Sequence, residues 1–446
     1  MLESVLVANR GEIARRVIRT ARRMGIGSVA VYSDADADLP YVAEADEAVH
    51  IGPAQPAQSY LNVAAILDAA RKTGAASVHP GYGFLAENAS FAAAVIEAGL
   101  TWIGPDPAAI EQMGDKIRAR NLMERAGVQV AAGTADPVTD ADDAAAQARR
   151  IGYPVMVKAA GGGGGIGMSE AADEQALRAA FETARSRAER FFGSPDILLE
   201  RYVERARHVE VQILGLADGR IVALGERDCS VQRRHQKVAE ETPSPGVSPR
   251  LRGQMLAAAA RAGEAVGYRG AGTVECLVDT AAGTFMFLEM NTRLQVEHPV
   301  TELVTGIDLV EQQFLIASGA PPSFDPDAVA PTGHAIELRV YAEDPVRFLP
   351  GPGKITAWHE PSGDGIRVDA GYTAGNTVTP FYDPLLAKLC AYGATRAQAL
   401  ERAREAVTAF VVEGPKNNLP FHAELLMSSD FVSGDYDTSL VGKLRS

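Results

Sequence analysis

The stretch EMNTRLQVEHP, residues 289–299, carries more chemical information than any other part of the chain, and the rest of the fold can be worked out from it. It continues the apolar run FMFL, so Glu289 and Asn291, two residues apart, would project from one face of a β-strand. If that strand continued, the same face would also carry Arg293, Gln295 and Glu297. Such a row of polar groups predicts a binding site; an ordinary strand with a solvated face is the alternative.

A hairpin brings a second carboxylate to this strand. The runs GTVECLVD and TFMFLEMN are separated by TAAG, which predicts two antiparallel strands with Glu275 near Glu289. Together with Asn291 these residues form an all-oxygen ligand set suited to Mg²⁺ or Mn²⁺, whereas zinc would favour His or Cys. We expect two such ions, because a pair would bridge the phosphates of a nucleotide. Surface carboxylates on a hairpin are the alternative.

Composition limits the function classes. The 446 residues suffice for two or three domains, and a net charge of −14 with a pI near 5.2 disfavours nonspecific nucleic-acid or anionic-membrane binding. Three distant cysteines without CxxC spacing argue against a disulfide framework or a zinc site. The N-terminus lacks the organisation of a signal peptide, and no apolar run is long enough to cross a bilayer. We therefore expect a cytoplasmic protein with neither nucleic acid nor membrane as a partner.

The first hundred residues alternate short β-rich runs, among them SVLVAN, SVAVYS and SVHPGYG, with helical segments. This βαβ series predicts a doubly wound parallel sheet. The turn after the first strand, from Asn9 to Glu12, lacks the GxGxxG spacing of a dinucleotide site. A new helix begins near Gly114, and we place the first domain boundary there.

Six glycines, at positions 161–165 and 167, follow a predicted strand that ends near Lys158. Their backbone N–H groups could approach phosphate oxygens, and the loop could open and close as a lid; a simple linker is the alternative. The loop lacks the GKS or GKT of a Walker motif. Farther along, ERYV at 200–203 is predicted to be a strand that leaves the lid, where backbone groups could face a base edge.

The five-residue run RRHQK, residues 233–237, contains four potential cations: Arg233, Arg234, His235 and Lys237. In an acidic protein this cluster predicts an anion pocket, with a solvated charge run as the alternative. Lysine is rare, with eight residues against 35 arginines, so Lys237 facing an acid substrate is the specific prediction. His208 and His235 could contact a nucleotide, although a lone histidine is more often structural.

A third, α+β domain is predicted from about residue 331, beginning with the strand HAIELRVY. The period of two puts Arg339 on one face with Glu337 and Tyr341, from which it could project into a polar cleft. An exposed arginine paired with a glutamate is the alternative.

Five motifs resemble the biotin carboxylase family in order and spacing: NRGEIA (residues 9–14), HPGYGFLAEN (79–88), the glycine loop, RDCSVQRRHQK (227–237) and EMNTRLQVEHPVTE (289–302). The resemblance covers essentially the whole chain. It implies an α/β and α+β architecture in which an ATP-grasp domain lies between an N-terminal doubly wound parallel-sheet domain and a C-terminal biotin-carboxylase domain. The implied boundaries are 1–114, 115–330 with a mobile lid at about 131–203, and 331–446.

The resemblance also implies a reaction in which ATP and bicarbonate give carboxyphosphate, whose CO₂ then carboxylates N1′ of biotin. This would be the first half-reaction of an acetyl-CoA or acyl-CoA carboxylase; a pyruvate carboxylase or another biotin-dependent carboxylase is the alternative. Glu297 matches the base that deprotonates bicarbonate, and Arg339 matches the group that stabilises the biotin enolate. The metal ligands match Glu275, Glu289 and Asn291, and the bicarbonate site matches Lys237, Arg293, Gln295 and Val296. The nucleotide contacts match Lys116, Lys158, Gly164, Gly165, Glu200, Arg201, Tyr202, Val203, His208, Gln232 and His235, together with Glu275 and Glu289.

The partners follow from what the chain lacks. Biotin is normally attached to a lysine flanked by methionines, and none of the eight lysines has a methionine neighbour. We therefore expect biotin to arrive on a separate biotin carboxyl carrier protein. Since the chain ends at Ser446, we expect carboxyltransferase subunits to be separate as well, and the family implies a homodimer.

One departure from the family lies in the glycine loop. Ile166 stands where the family usually has Arg or Lys, and Ser169 stands where a further basic residue is frequent. We expect a weaker hold on the ATP phosphates or altered lid kinetics. Two rival functions stay open: a different ATP-grasp ligase, which would not need QVEH after the metal strand, and a noncatalytic assembly subunit, for which Ile166 is the only support.

Overall fold

The computed structural model describes residues 2–160 and 168–445, so the predictions for Gly164, Gly165 and Ile166 lie outside the described residues. The N-terminal part is a five-stranded parallel sheet in the order β3-β2-β1-β4-β5. Its strands are β1 (Ser4–Val7), β2 (Gly27–Ser33), β3 (Glu47–Gly52), β4 (Ser77–His79) and β5 (Thr101–Trp102). Its helices are α1 (Gly11–Arg23), α2 (Pro40–Glu44), α3 (Val63–Thr73), α4 (Ala89–Glu97) and α5 (Pro107–Gly114). This confirms the predicted doubly wound sheet.

The helices that connect the parallel strands cover both faces of the sheet, so its strands are apolar on both sides. Val5, Leu6 and Val7 on the central strand β1 are all fully buried. Val5 and Val7 pack into one apolar cluster and Leu6 into another, which is the pattern of a strand with helices on both sides.

A second, smaller sheet lies within the predicted lid. Strands β6 (Val155–Ala159), β7 (Ser169–Ala171) and β8 (Ile197–Arg201) pair antiparallel in the order β7-β6-β8. The helices of this region are α7 (Ala141–Ile151) and α8 (Glu174–Phe192), whereas α6 (Lys116–Arg125) precedes the lid and packs with residues of the large sheet. Alanines of α7 and α8 pack with Val155, Val157 and Leu199 into an apolar cluster of their own. The small sheet therefore has its own core.

The largest element is an eight-stranded sheet in the order β13-β12-β9-β10-β11-β14-β19-β17. Its first five strands in chain order are β9 (Ala206–Gly215), β10 (Ile221–Arg233), β11 (Gln236–Thr242), β12 (Gly270–Asp279) and β13 (Thr284–Asn291). Helices α9 (Pro249–Ala265), α10 (His298–Thr305) and α11 (Leu309–Ala317) accompany them. The predicted hairpin β12–β13 is present, and β9 and β10 form a second antiparallel hairpin.

The same sheet continues past residue 330 with β14 (His334–Tyr341), β17 (Ile366–Ala370) and β19 (Leu385–Gly393). Short strands between and after these are β15 (Gly353–Lys354), β16 (Ala357–His359), β18 (Thr377–Val378) and β20 (Val411–Glu413). The remaining helices are α12 (Arg396–Ala409), α13 (Leu419–Leu425), α14 (Ser429–Ser433) and α15 (Leu440–Lys443). Strands on either side of residue 330 are thus hydrogen-bonded in one sheet, which lets their side chains meet in one site.

The structure corrects one prediction at the end of β13. The strand ends at Asn291, and the following residues form a turn in which Glu297 precedes helix α10. Pro299 lies in the first turn of that helix, where its missing N–H costs nothing, whereas a proline would interrupt a strand ladder. Leu294 and Gln295, adjacent in sequence, are both buried, so the expected alternation over 293–297 was wrong.

Among the described residues, no helix is both long and apolar enough to span a membrane.

Candidate active site

A cleft of about 1220 Å³ opens between the N-terminal sheet, the small lid sheet and the large sheet. Almost every described residue that the sequence analysis singled out lines it. These are Lys116, Lys158, Glu200, Arg201, Tyr202, Val203, His208, Gln232, His235, Lys237, Glu275, Glu289, Asn291, Arg293, Gln295, Val296 and Arg339. Glu297 lies directly behind this wall and is fully buried. We call the part around Glu297, Lys237 and Arg339 the base side, and the part around Lys116, His235 and Glu289 the nucleotide side.

Glu297 is held between two cations. Its Oε1 accepts a hydrogen bond of 2.6 Å from Lys237 Nζ, and its Oε2 accepts one of 2.8 Å from Arg339. Burial alone would raise the pKa of this carboxyl, but Lys237, Arg339 and Arg227 outweigh it and hold the pKa well below the usual 4.5. The thiol of Cys229 lies 3.8 Å from Oε1. The carboxylate is therefore ionised and oriented, as a general base must be.

Lys237 is the centre of the base side. Its ammonium contacts three carboxylates, those of Glu210 at 2.6 Å, Glu275 at 2.9 Å and Glu297 at 2.6 Å, which matches its three donors. Burial opposes the positive charge, but the thiol of Cys229 and the carboxylates raise the pKa of Lys237 well above 10.5. The lysine is therefore a fixed cation at the wall of the cleft.

Arg339 lies on β14 and joins two acids. Its guanidinium donates to Glu240 at 2.6 Å and to Glu297 at 2.8 Å. Its backbone carbonyl accepts from Asn418 at 2.9 Å and His422 at 2.8 Å, so α13 fixes the strand from behind. Burial raises the pKa of Glu240 to about 7, with Arg339 opposing that shift. One arginine thus holds one ionised carboxylate and one that is close to protonation at neutral pH.

The guanidinium of Arg293, in the turn that follows β13, is held by three side-chain acceptors. It donates to Glu87 at 2.8 Å, to Gln295 Oε1 at 2.8 Å and to Asn291 Oδ1 at 3.1 Å. Glu87 also accepts from the backbone N–H of Thr292 at 3.1 Å. A guanidinium fixed in this way can meet an anion without further loss of side-chain freedom.

The three predicted metal ligands meet on the β12–β13 hairpin. Glu275 pairs with Glu289 across the two strands, and Asn291 Nδ2 donates to Glu275 Oε1 at 2.9 Å. Burial and the neighbouring Glu275 raise the pKa of Glu289, so the two acids repel each other. A divalent cation would relieve this repulsion, and the all-oxygen donors suit Mg²⁺ or Mn²⁺. The residues therefore fit the predicted ions.

A second cluster of potential ligand atoms, from His208, Glu210 and Glu275, lies within 4.8 Å. Lys237 contacts both of its carboxylates, so that cluster is already neutralised by the protein. His208 Nδ1 accepts a hydrogen bond of 2.5 Å from Gln232 Nε2, and His208 Nε2 lies 2.8 Å from Glu275 Oε2. These two side chains form one polar wall of the cleft.

The nucleotide side carries cations whose charge is less favoured. Lys116 stands at the start of α6, which Asp115 caps by accepting from the N–H groups of Ile117 and Arg118. Burial lowers the pKa of Lys116, and burial together with His208 lowers that of His235. On the lid sheet, Lys158 is hydrogen-bonded to Glu200.

One prediction about side-chain direction was wrong. Arg233 does not join an anion pocket: it donates to the Phe348 carbonyl and to Glu343, each at 2.7 Å. Gln232, its neighbour, faces the cleft, so the alternation of β10 sends Arg233 to the other face. The Arg201 guanidinium reaches the Ile151 carbonyl at 3.4 Å and is exposed.

The sequence analysis missed several charged residues that hold the site together. Arg227, fully buried, donates to Glu210 at 2.6 Å, and Lys388, also fully buried, donates to the Val296 carbonyl at 2.9 Å. The other missed residues are Glu87, Glu210 and Glu240. Glu87 lies within the quoted motif HPGYGFLAEN, and Lys388 is one of only eight lysines, so both carried a signal. Strand alternation alone could not show that Glu210 and Glu240 face other charges.

The chain matches three protein families along its length. Residues 1–110 match the biotin carboxylase N-terminal domain, 115–323 the ATP-binding domain of the carbamoyl-phosphate synthase L chain, and 337–443 the biotin carboxylase C-terminal domain.

Known proteins resemble the whole chain. A biotin carboxylase of Halalkalibacterium halodurans is 49% identical over 441 residues, covering 99% of this chain and 97% of that one. A pyruvate carboxylase subunit of Methanothermobacter thermautotrophicus is 47% identical over 446 residues, covering 100% and 90%. The biotin carboxylase domain dimer of the Hydrogenobacter thermophilus 2-oxoglutarate carboxylase, solved with MgADP, ADP and bicarbonate, superposes with a TM-score of 0.95 at 42% identity, covering 99% and 98%. The likeness thus holds in sequence and in three dimensions.

Proposed function

The chain belongs to the biotin carboxylase family, and from that premise we propose that it uses ATP and bicarbonate to carboxylate biotin carried on a separate protein. The intermediate would be carboxyphosphate. The observation that carries the proposal is the arrangement of Glu297, Lys237 and Arg339, in which an ionised buried base lies between two fixed cations at the wall of the cleft.

The nucleotide would bind between the lid sheet and the hairpin. Lys116, Lys158, His208, Gln232 and His235 would contact it, and the backbone of Glu200–Val203 would face its base. The glycines Gly164 and Gly165 are proposed from sequence to close on the phosphates. Glu275, Glu289 and Asn291 would hold Mg²⁺ or Mn²⁺, which when bound offsets the charge of the phosphates.

Bicarbonate would lie against Arg293, Gln295, Lys237 and the backbone of Val296. These side chains are already positioned by their neighbours, and their charges and dipoles would attract the anion. Glu297 would take the proton of bicarbonate, leaving a dianion whose oxygen attacks the γ-phosphoryl group. A positioned base of this kind contributes roughly 10²–10⁴-fold to the rate.

Biotin would meet Arg339. Loss of the N1′ proton places negative charge on the ureido oxygen, and a guanidinium fixed by Glu240 and Glu297 can stabilise that oxyanion. Carboxyphosphate, formed with ADP as the leaving group, would release CO₂ and phosphate; the phosphate would take the N1′ proton, and N1′ would then attack the carbon of CO₂.

The experiment is ATP hydrolysis by the purified chain with Mg²⁺, measured with and without bicarbonate and free biotin. We expect bicarbonate-dependent ADP release that biotin stimulates and that Glu297→Ala abolishes. Glu343→Ala is the matched control, because it also removes a buried glutamate that pairs with an arginine, but its partner Arg233 does not line the cleft whereas Arg339, the partner of Glu297, does. ADP release that depends on neither bicarbonate nor biotin would favour another ATP-grasp ligase. ATP binding without turnover would favour a noncatalytic assembly subunit.

The wider assembly is also proposed. Because the chain belongs to this family, we propose a biotin carboxyl carrier protein and carboxyltransferase subunits as its partners, and a homodimer as its oligomeric state. We propose domains at 1–114, at 115–330 with a lid at 131–203, and at 331–446. The final acceptor would be an acyl-CoA; a keto acid is the second candidate, favoured by the similarity to a pyruvate carboxylase subunit. We propose a cytoplasmic location, supported by three buried cysteines that are all free thiols.

A further inference from the structure

The backbone that leads into Glu297 is held by side chains. In the segment 292–297, the carbonyls of Leu294 and Gln295 accept from side chains within or next to the segment. The carbonyl of Val296 accepts instead from Lys388, whose Nζ lies 2.9 Å away on strand β19. The peptide bond that joins Val296 to Glu297 is therefore fixed from a strand 92 residues farther along the chain.

Lys388 can hold this peptide because it stays protonated although its side chain is fully buried. Its Nζ lies 3.1 Å from Glu12 Oε2 and 3.9 Å from Asp369 Oδ2. Burial would lower the pKa of Lys388, but Glu12, Glu337 and Asp369 outweigh it and raise the pKa. A buried ammonium needs acceptors for its three N–H donors, and the Val296 carbonyl is one of the acceptors here.

The same lysine connects to the N-terminal sheet. Glu12 lies at the start of α1, and its carboxylate accepts a hydrogen bond from the hydroxyl of Tyr82. The ring of Tyr82 has its centroid 6.0 Å from Lys388 Nζ. Glu12, Tyr82 and Val296 all line the cleft, so the contacts run behind its wall from the N-terminal sheet to the base.

We propose that Lys388 is a positioning residue for the proton transfer from bicarbonate to Glu297. It fixes the peptide that carries the base, while Lys237 and Arg339 fix the carboxylate itself. Glu12 and Tyr82 fix Lys388 in turn. The inference rests on the proposed function, in which Glu297 is the base.

The first test is Lys388→Met, which keeps the length of the side chain and removes its charge and donors. We expect kcat and kcat/KM for bicarbonate to fall together by roughly 10–100-fold, because misplacing a reacting group by about 1 Å costs up to about 10²-fold. The Kd for ADP should change by less than about twofold, since Lys388 does not line the cleft. Unchanged kcat/KM in a folded variant would overturn the proposal.

A double variant separates positioning from stability. Lys388→Met alone leaves Glu12 buried without its cation, which destabilises the fold; replacing both members of a buried pair is often neutral. In Glu12→Gln/Lys388→Met we therefore expect the melting temperature to recover while kcat/KM for bicarbonate stays low, because the donor to Val296 is still missing. Recovery of both together would mean that Lys388 only balances the charge of Glu12, and the proposal would be wrong.

The control is Arg396→Met. This arginine follows β19 directly and forms an ion pair of 2.6 Å with buried Glu241, but it contacts neither the cleft nor the segment 292–297. We expect it to lower the melting temperature and to leave kcat/KM for bicarbonate within about twofold of the parent chain.

One readout does not depend on turnover. Amide hydrogen exchange over residues 292–298 should be faster in Lys388→Met and in the double variant than in the parent chain and in Arg396→Met. If the parent chain lacks bicarbonate-dependent ATP cleavage, the proposed function fails, yet faster exchange in this segment would still support the positioning of the Val296–Glu297 peptide by Lys388. Equal exchange in all four proteins would overturn it.

Discussion

The balance between burial and neighbouring charges, which sets the pKa values of the ionisable groups, differs between the two sides of the cleft. On the base side, surrounding charges outweigh burial, so the pKa of Glu297 is held well below its usual value and those of Lys237 and Arg339 well above theirs. On the nucleotide side, burial prevails, so the pKa of Glu289 is raised and that of Lys116 is lowered. The ionised forms of Glu297, Lys237 and Arg339 are thus favoured on the first side, whereas those of Glu289 and Lys116 are disfavoured on the second.

The difference indicates which charges the protein supplies and which the substrates must bring. On the base side each cation already contacts carboxylates, so these charges are paired before any substrate binds. On the nucleotide side Lys158 is paired with Glu200, but burial outweighs the neighbouring charges at Lys116 and Glu289, and the cations and phosphates of a metal–nucleotide complex would offset that burial. Variants on the first side should therefore damage stability and chemistry together, and those on the second should damage affinity.

The strongest test of the base side is Glu297→Gln. Because the amide cannot accept a proton from bicarbonate, we expect the bicarbonate-dependent rate to fall by roughly 10²–10⁴-fold. The Kd for ADP should stay within about twofold, since Glu297 does not line the cleft. Steady-state kinetics and calorimetry on the same preparation check both; retained bicarbonate dependence would remove Glu297 from the mechanism.

The next test compares two lysines of similar chemistry on opposite sides. Lys237→Met leaves three buried carboxylates facing one another, so we expect a loss of about 3–5 kcal/mol in unfolding free energy as well as of activity. Lys116→Met removes a cation whose charge burial already disfavours, so its stability should change by less than about 1 kcal/mol. Denaturant unfolding of both variants measures this, and equal losses would contradict the contrast between the two sides.

Much of this arrangement could be predicted from sequence, for local reasons. The parallel sheet followed from the βαβ series, and the pairing of Glu275 with Glu289 followed from a four-residue turn between two strands. The turn at 292–297 could not be deduced from alternation, because the strand ends at Asn291 and helix α10 begins at His298, where the pattern suggested more strand. Lys388 and Glu240 reach the site only through strand pairing across the large sheet, a long-range contact that no local pattern contains.

A smaller effect is expected for Glu289→Gln on the nucleotide side. The variant removes the repulsion between Glu289 and Glu275, so the metal-free protein should be as stable as the parent or slightly more so. Loss of one oxygen ligand should weaken Mg²⁺-dependent ADP binding by roughly 10-fold or more, with little change in binding measured in excess chelator. Calorimetric titration of ADP with Mg²⁺ and with excess chelator measures these two affinities separately. Equal weakening under both conditions would mean that Glu289 contacts the nucleotide rather than a metal.

The smallest effect concerns the second acid of the base side, Glu240, whose pKa burial raises from 4.5 to about 7. Between these values the folded protein binds more protons than the unfolded chain, so the stability that Glu240 contributes is present below pH 4.5 and is lost as the pH rises through about 7. Glu240→Gln should remove this dependence and reduce the fall in melting temperature between pH 5 and pH 8 by about 2–4 °C. Glu12 and Glu343, with pKa values also raised to about 7 by burial, should preserve the rest of the fall. An unchanged profile would show that Arg339 keeps Glu240 ionised, and the base side would then hold two ionised acids on one guanidinium.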